Sequence, residues 1–511
     1  MVTIRQYSLL ALAGVFLPAT ASPALHARSL PGPRVQLDNG LTIQGGINTT
    51  TPNTAQYLGI PYAESPLGDL RFAPPQAYSP SKGTVINGTA LPPSCMQYLT
   101  SLDSMITVDM PHFETGAAGW SEDCLTVSVW TPLKAAATNQ SLPVVIWVFG
   151  GGFTTGGVDV SWQLPGQWVD RTQDHIVVAM NYRINIFGFP NAAGVEQQNL
   201  GIMDQRLAIE WTQANIAKFG GDASRMVLIG QSAGAEAVDL YQYAYHNDTI
   251  VKGLIMHSGT AHLDLLITDD PTHSDFSLVA ANVGCANQTS AAAELACMRK
   301  VPASALEQFL HTYQDAGSSP SVQFNPVRDD TIIFTNYTER ALTGGMSNLP
   351  AIIGTNAHEG FFLAPYTRTG VNETIATTLS YTYFWCPATK TTYERLAAGR
   401  TTHRYMYEGN FTNVSPKPWL GAVHGSELPL LFGTHPNYYG NSTPLEYEVS
   451  HAMQDAYVAF AKDPVSGLAS VGWPAYESEG GNVRVWARDG VVSQVSSLTE
   501  IEAECNALGM A

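Results

Sequence analysis

Ser232 lies in "VLIGQSAGAEAV" (227–238), between Gly230 and Gly234. A serine hydroxyl in this pattern can attack a carbonyl if a base takes its proton, a carboxylate orients that base, and N–H donors receive the oxyanion. The G-x-S-x-G pattern alone is weak evidence. In a chain with 45 glycines among 511 residues, it arises by chance in roughly one chain in four of this composition. Its flanks are more specific. "RMVLIG" (225–230) reads as a short buried strand, and "AGAEAVDLYQYAY" (233–245) reads as a helix with apolar residues at helical spacing. Strand, sharp turn and helix is the geometry of a nucleophile elbow. Side chains at positions 230 and 234 would keep strand and helix apart.

The remaining parts are sought in the chain order that α/β-hydrolases use, nucleophile then acid then histidine. Glu359 in "LPAIIGTNAHEGFF" (349–362) follows an apolar strand and is the candidate acid, with Asp329 and Asp330 as rivals. His424 in "GAVHGSELPLLFG" (421–433) is the candidate base, in a loop entering a helix. "VVIWVFGGGFTTGG" (144–157) places Gly150, Gly151 and Gly152 after a buried strand, where bare main-chain N–H groups can face a developing negative charge. Phosphate binding is the other use of such a loop. No G-K-[ST] follows here, and the G-x-G-x-x-G spacing is incomplete.

These loops need a scaffold. Strand-like runs alternate with helical stretches such as "MDQRLAIEWTQANIAKF" (203–219) from about residue 35 to 260, and strand signals return at "LPAIIGTN" (349–356) and "VRVWARDG" (483–490). Residues 270–350 read as helices and loops. The alternation predicts an α/β fold with a large, mainly parallel central sheet, helices on both faces, and inserted loops and helices. With no internal repeat or linker, residues 35–511 are expected to form one domain. A chain this long needs no metal for a stable core, and none is expected.

Residues 1–21 combine Arg5, an apolar run from Leu9 to Leu17 and the small residues "ATA" (19–21), which reads as a secretory signal peptide followed by a short leader over 22–34. No later segment has the length of a transmembrane helix, and the C-terminus carries no lipid-anchor tail. The net charge of −18, without basic clusters, argues against nucleic acid and anionic membranes as partners. Ten N-x-S/T sites are present, at Asn48, Asn87, Asn139, Asn247, Asn287, Asn336, Asn372, Asn410, Asn413 and Asn441; about four would arise by chance. Six cysteines suit an oxidising compartment, and their number alone leaves fifteen pairings open. A secreted, extracellular glycoprotein is expected.

With these pieces in place, the chain from about residue 35 onward resembles the type-B carboxylesterase and lipase family, which includes cholinesterases, and especially its secreted fungal members. The resemblance rests on "LGIPYAESPLGDLRFAPPQ", "SEDCLTVSVW", "VFGGGF", "NYRINIFGF", "QRLAIEWTQANIAKFGGDASRMVLIGQSAGA", "GTNAHEGFF" and "VHGSELP", in that order. It implies an α/β-hydrolase fold, a Ser232–His424–Glu359 triad, and oxyanion donors from the N–H groups of Gly151, Gly152 and Ala233. It also implies bridges Cys95–Cys124, Cys285–Cys297 and Cys386–Cys505, an ion pair between Arg71 and Glu122, and a supporting role for Ser258. No cofactor is implied. Two departures stand out. Phe149 replaces the histidine or tyrosine of most relatives, which bears on support of the glycine loop. Gln231 replaces the glutamate of cholinesterases, and no counterpart of their cation-binding tryptophan is identified between Cys95 and Cys124, so choline esters are not expected.

The expected function is hydrolysis of a carboxylic ester, small or lipid, through an acyl-enzyme. In the lipase alternative, the segment between Cys95 and Cys124 is a lid whose apolar face comprises Leu99, Leu102, Met105, Ile106, Val108 and Met110, interrupted by Asp103 and Asp109. A fixed surface loop with those residues packed inward is the opposing reading. A non-catalytic binding module on the same fold is the remaining class, disfavoured because all three triad residues are present.

Overall fold

The structure, a computed structural model, describes residues 29–113, 116, 118–138, 140–478 and 481–511. The expected signal segment, the expected leader as far as residue 28, and Asn139, an expected glycan acceptor, lie outside the described residues. One sheet of 13 strands organises the chain. In chain order these are β1 (Ser29–Gln36), β2 (Thr42–Asn48), β3 (Thr54–Pro61), β4 (Val85–Gly88), β5 (Thr126–Pro132), β6 (Leu142–Val148) and β7 (Ile176–Met180). They continue with β8 (Gly221–Gln231), β9 (Val251–His257), β10 (Ala351–Asn356), β11 (Thr402–Tyr407), β12 (Val483–Trp486) and β13 (Ser493–Ser496). β1 contains the end of the expected leader and pairs with β2 through Arg34 and Gln44. The boundary placed at residue 35 therefore falls inside the sheet.

The strands run β1-β2-β3-β5-β7-β6-β8-β9-β10-β11-β12-β13, with β4 against β2. From β7 to β12 every neighbour is parallel. The margins β1-β2-β3-β5-β7 and β12-β13 are antiparallel, so the sheet is mixed around a parallel centre, with helices on both faces. Covering both faces explains why β6, β7, the Met226–Ile229 stretch of β8 and the Leu254–Met256 stretch of β9 are apolar runs. Four helices matter for the site or its frame: α1 (Leu200–Asn215), α2 (Ala233–Ala244), α3 (Cys386–Ala397) and α4 (Pro444–Lys462). β7 and β8 flank β6 on opposite sides, so strand order reverses at β6. Ligands bind beyond the carboxyl ends of parallel strands at such a reversal, and there Gly150–Gly152 and Ser232 follow β6 and β8.

Disulfides join Cys95 to Cys124, Cys285 to Cys297, and Cys386 to Cys505. Arg71 makes a two-pronged contact with Glu122, with Nε and Nη2 each 2.6 Å from a carboxylate oxygen, beside the first bridge. One of the ten sequon asparagines is enclosed by the fold. Asn413 is buried, and its amide nitrogen donates to His435 O and Ser442 Oγ, both at 2.9 Å. A glycan on that nitrogen would have to displace these bonds and open the packing around it. Asn87, Asn247, Asn287, Asn336, Asn372, Asn410 and Asn441 are exposed, and Asn48 is half-buried.

Candidate active site

Ser232 closes β8 and opens α2 with φ 56° and ψ −126°, a conformation that strains any side-chain-bearing residue. Its N–H donates to His257 O at 2.8 Å, and its carbonyl accepts from Glu236 N at 2.9 Å, which fixes the turn on both sides. The flanking glycines are required by space. A Cβ on Gly230 would lie 2.2 Å from Gly234 O, and one on Gly234 would lie 2.2 Å from Val148 O. Gly259, which the motif does not include, is equally constrained, since its Cβ would meet Ser232 O at 2.3 Å. Ser232 faces a cavity of about 410 Å³, which His424, Gly151 and Gly152 also line.

Gly151 and Gly152 have φ 109° and 64°, values that favour glycine. Among the described residues, neither N–H is engaged in a hydrogen bond. The loop is held from behind: Gly151 O accepts from Thr154 N and Thr155 N, both at 3.0 Å, and Asn325 Nδ2 donates to Gly152 O at 2.5 Å. Phe149 supports the loop by another route, stacking on Tyr182 with centroids 4.3 Å apart while the Tyr182 hydroxyl donates to Phe149 O at 2.7 Å. The N–H of Ala233 belongs to the first turn of α2, where a helix leaves its donors unpaired.

Glu359 begins a short turn after β10, and His424 precedes the helical turn Leu428–Phe432. Both are buried, with His424 Nδ1 2.5 Å from Glu359 Oε2. The other carboxylate oxygen accepts from Ser258 Oγ at 2.5 Å and from Asn356 N at 2.6 Å. Phe362 stacks on the imidazole at 4.5 Å, and Phe384 packs against it at 4.8 Å. The outer nitrogen Nε2 contacts the Gln231 amide nitrogen at 2.9 Å. An amide N–H only donates, so Nε2 accepts here and the ring proton resides on Nδ1, directed at Glu359. The rivals lie elsewhere: Asp329 Oδ1 collects the N–H groups of Thr331, Ile332 and Ile333, and Asp330 caps Thr335 N.

A second buried His–Glu pair lies behind the first. His257 Nδ1 is 3.1 Å from Glu427 Oε1 and 2.6 Å from the Tyr405 hydroxyl. Burial works against charge on Glu427, yet hydrogen bonds from His257 and Asn356 hold its carboxyl below the ordinary range. Asn356 couples the pairs. Its backbone N–H reaches Glu359, while its side chain donates to Glu427 Oε2 at 2.5 Å and Val423 O at 2.9 Å. Sequence reasoning missed Asn325, Asn356, His257, Glu427, Phe384 and the contact made by Gln231. Asn356 and Glu427 each lie three residues from a candidate, Glu359 and His424 respectively, which is the local signal that could have found them.

Among the described residues, no cluster of three or more His, Cys, Asp or Glu side chains could hold a metal ion, and no helix is long and apolar enough to cross a membrane. A sheet with this reversal and a strained serine at the end of a central parallel strand, beside a glycine loop and a His–Glu pair, define an α/β-hydrolase. The chain belongs to the Carboxylesterase family, which it matches over residues 31–375 and 367–495. It is 42% identical to chlorogenic acid esterase of Aspergillus niger, covering 95% of this chain and 96% of the relative. It is 40% identical to secreted lipase 5 of Gibberella zeae, covering 98% and 99%. Identity to acetylcholinesterase of Bungarus fasciatus is 26%, over 83% and 78%. The protein is a carboxylic ester hydrolase.

Proposed function

We propose that the protein is a secreted serine esterase in which Ser232 is the nucleophile, His424 the base and Glu359 the residue that orients it. The observation that carries this reading is the short Glu359–His424 contact beside a cavity that also exposes Ser232. For attack, Nε2 exchanges the Gln231 amide for the Ser232 hydroxyl and takes its proton as Oγ bonds to the ester carbonyl. The oxyanion then meets the N–H groups of Gly151, Gly152 and Ala233, a type of contact worth about a hundredfold to a thousandfold per donor. Collapse expels the alcohol, which receives the proton from His424. A water molecule, deprotonated by the same nitrogen, releases the acid and restores Ser232.

Secretion is supported by the signal-like segment, by the disulfides, and by a relative named as a secreted lipase. One relative is named for chlorogenic acid and another as a lipase. We favour a small soluble ester because the Cys95–Cys124 segment is anchored on several sides: Asp109 is buried and accepts from the Tyr366 and Tyr439 hydroxyls, and Thr100 and Ser101 bind Asp315. The test is a fluorophosphonate probe. After removal of N-glycans, because Asn247 shares the peptide, the label is expected on the tryptic fragment from Met226 to Lys252 and nowhere else. Labelling at another serine, or none in folded protein, would overturn the assignment.

A further inference from the structure

We infer that the cavity selects esters bearing no negative charge near the scissile bond; this rests on the esterase reading of the same site. The wall is largely apolar, with Leu102, Ile106, Phe113, Leu263, Phe362 and Phe384, and its remaining surface includes neutral groups such as Tyr98, Thr100 and Gln314. Among the lining residues there is no lysine or arginine; Asp315 is the carboxylate, and His424 is the proposed base.

The cations set near the lining segments are already matched. Arg368 Nη2 is 2.7 Å from Asp103, between the lining residues Leu102 and Ile106. Arg328 is 2.7 Å from Asp264, between Leu263 and Leu265, and Lys417 is 3.6 Å from Asp109. Asp315 is held in place by Thr100 Oγ1 at 2.7 Å, Ser101 N at 2.8 Å, Ser101 Oγ at 2.6 Å and His311 at 3.1 Å. Burial opposes its charge, but the bonds from Ser101 and Thr100 bring its carboxyl down to about 2, so it is ionised at working pH. A substrate carboxylate must shed water to enter, and that loss is repaid only by a paired cation. What it meets is a fixed negative charge in a chain whose net charge is −18. The bare N–H groups that could receive an anion are those of the glycine loop, and a carboxylate bound there would block the oxyanion.

A matched pair of substrates tests this: mono-4-nitrophenyl adipate, which carries a free carboxylate, and its methyl ester, followed by nitrophenol release at pH 7. kcat/KM is expected to favour the methyl ester by at least about thirtyfold at low salt, and the gap should narrow as salt rises. Gln314→Lys, which leaves the bonds of Asp315 in place, should raise the relative rate of the anionic ester by about tenfold. Asp315→Asn should act in the same direction. Wild-type rates within about threefold of each other, or a Gln314→Lys ratio that does not move, would overturn the inference while leaving the esterase intact. Release from neither ester, together with no fluorophosphonate labelling of folded protein, would instead sink the nucleophile assignment and this inference with it.

Discussion

In the proposed triad Glu359 would lie one step from the reacting atoms, and its replacement should cost less than that of Ser232 or His424. Ser232→Ala or His424→Ala is expected to lower kcat by about a millionfold, whereas Glu359→Gln should cost about ten-thousandfold, because an amide leaves the imidazole in place but poorly oriented. Steady-state kinetics on folded variants decides this. A near-normal Glu359→Gln beside an inactive Asp329→Asn would move the acid elsewhere, although Asp329 is occupied by three backbone donors of its own turn. Ser232, Glu359 and His424 stood out as candidates in the sequence because each sits in a local pattern of strand end, glycine and turn. The residues that aim them did not. Gln231 meets a partner 193 positions away, and Asn325 supports a glycine 173 positions away. An amide side chain carries no mark of such a partner.

At the scale of elements, the Cys95–Cys124 segment has more anchors than its sequence indicates. Asp109, which interrupts the apolar face in the sequence, is itself buried. Its side chain accepts from the Tyr366 hydroxyl at 2.9 Å, and its carbonyl accepts from the Tyr439 hydroxyl at 2.8 Å. Met105 and Met110 are buried, and Ser104 and Thr107 cap the turn between them reciprocally. Smooth saturation is therefore expected as a short triglyceride is titrated through its solubility limit. A jump in rate at that limit would restore the lid reading. The buried apolar strands β6, β8 and β10 were visible as runs of valine, isoleucine and leucine. β11 was not, because "THRYMY" (402–407) reads as polar until Arg404 is seen buried, with Nη1 2.8 Å from Thr392 Oγ1 on α3. The antiparallel margin was equally obscure, since "TIQGGIN" in β2 offers glycines in place of an apolar stripe.

The whole molecule should lose stability in mild acid, partly through histidines whose burial in the fold disfavours their charged form. Burial pushes His403 and His435 down to about 4, and His175 to about 3. An unfolded histidine titrates near 6.5. Below that pH the unfolded chain takes up protons that the folded chain refuses, so this contribution is complete above about 6.5 and drains away toward 4. Urea unfolding at pH 7 and pH 4.5 should show a smaller acid loss for His435→Gln than for wild type, by about 2 kcal/mol. An equal loss would mean that His435 titrates normally in the fold.

The bridge from Cys386 to Cys505 spans 119 positions, and His424 lies within that span while Ser232 and Glu359 lie outside it. In covalent terms the chain is a lasso, with the proposed base on the noose and the proposed nucleophile on the rope. A protease that cuts once between residues 387 and 423 therefore opens the noose without releasing a fragment, and His424 stays joined to Ser232 and Glu359 through the bridge until a reductant separates them.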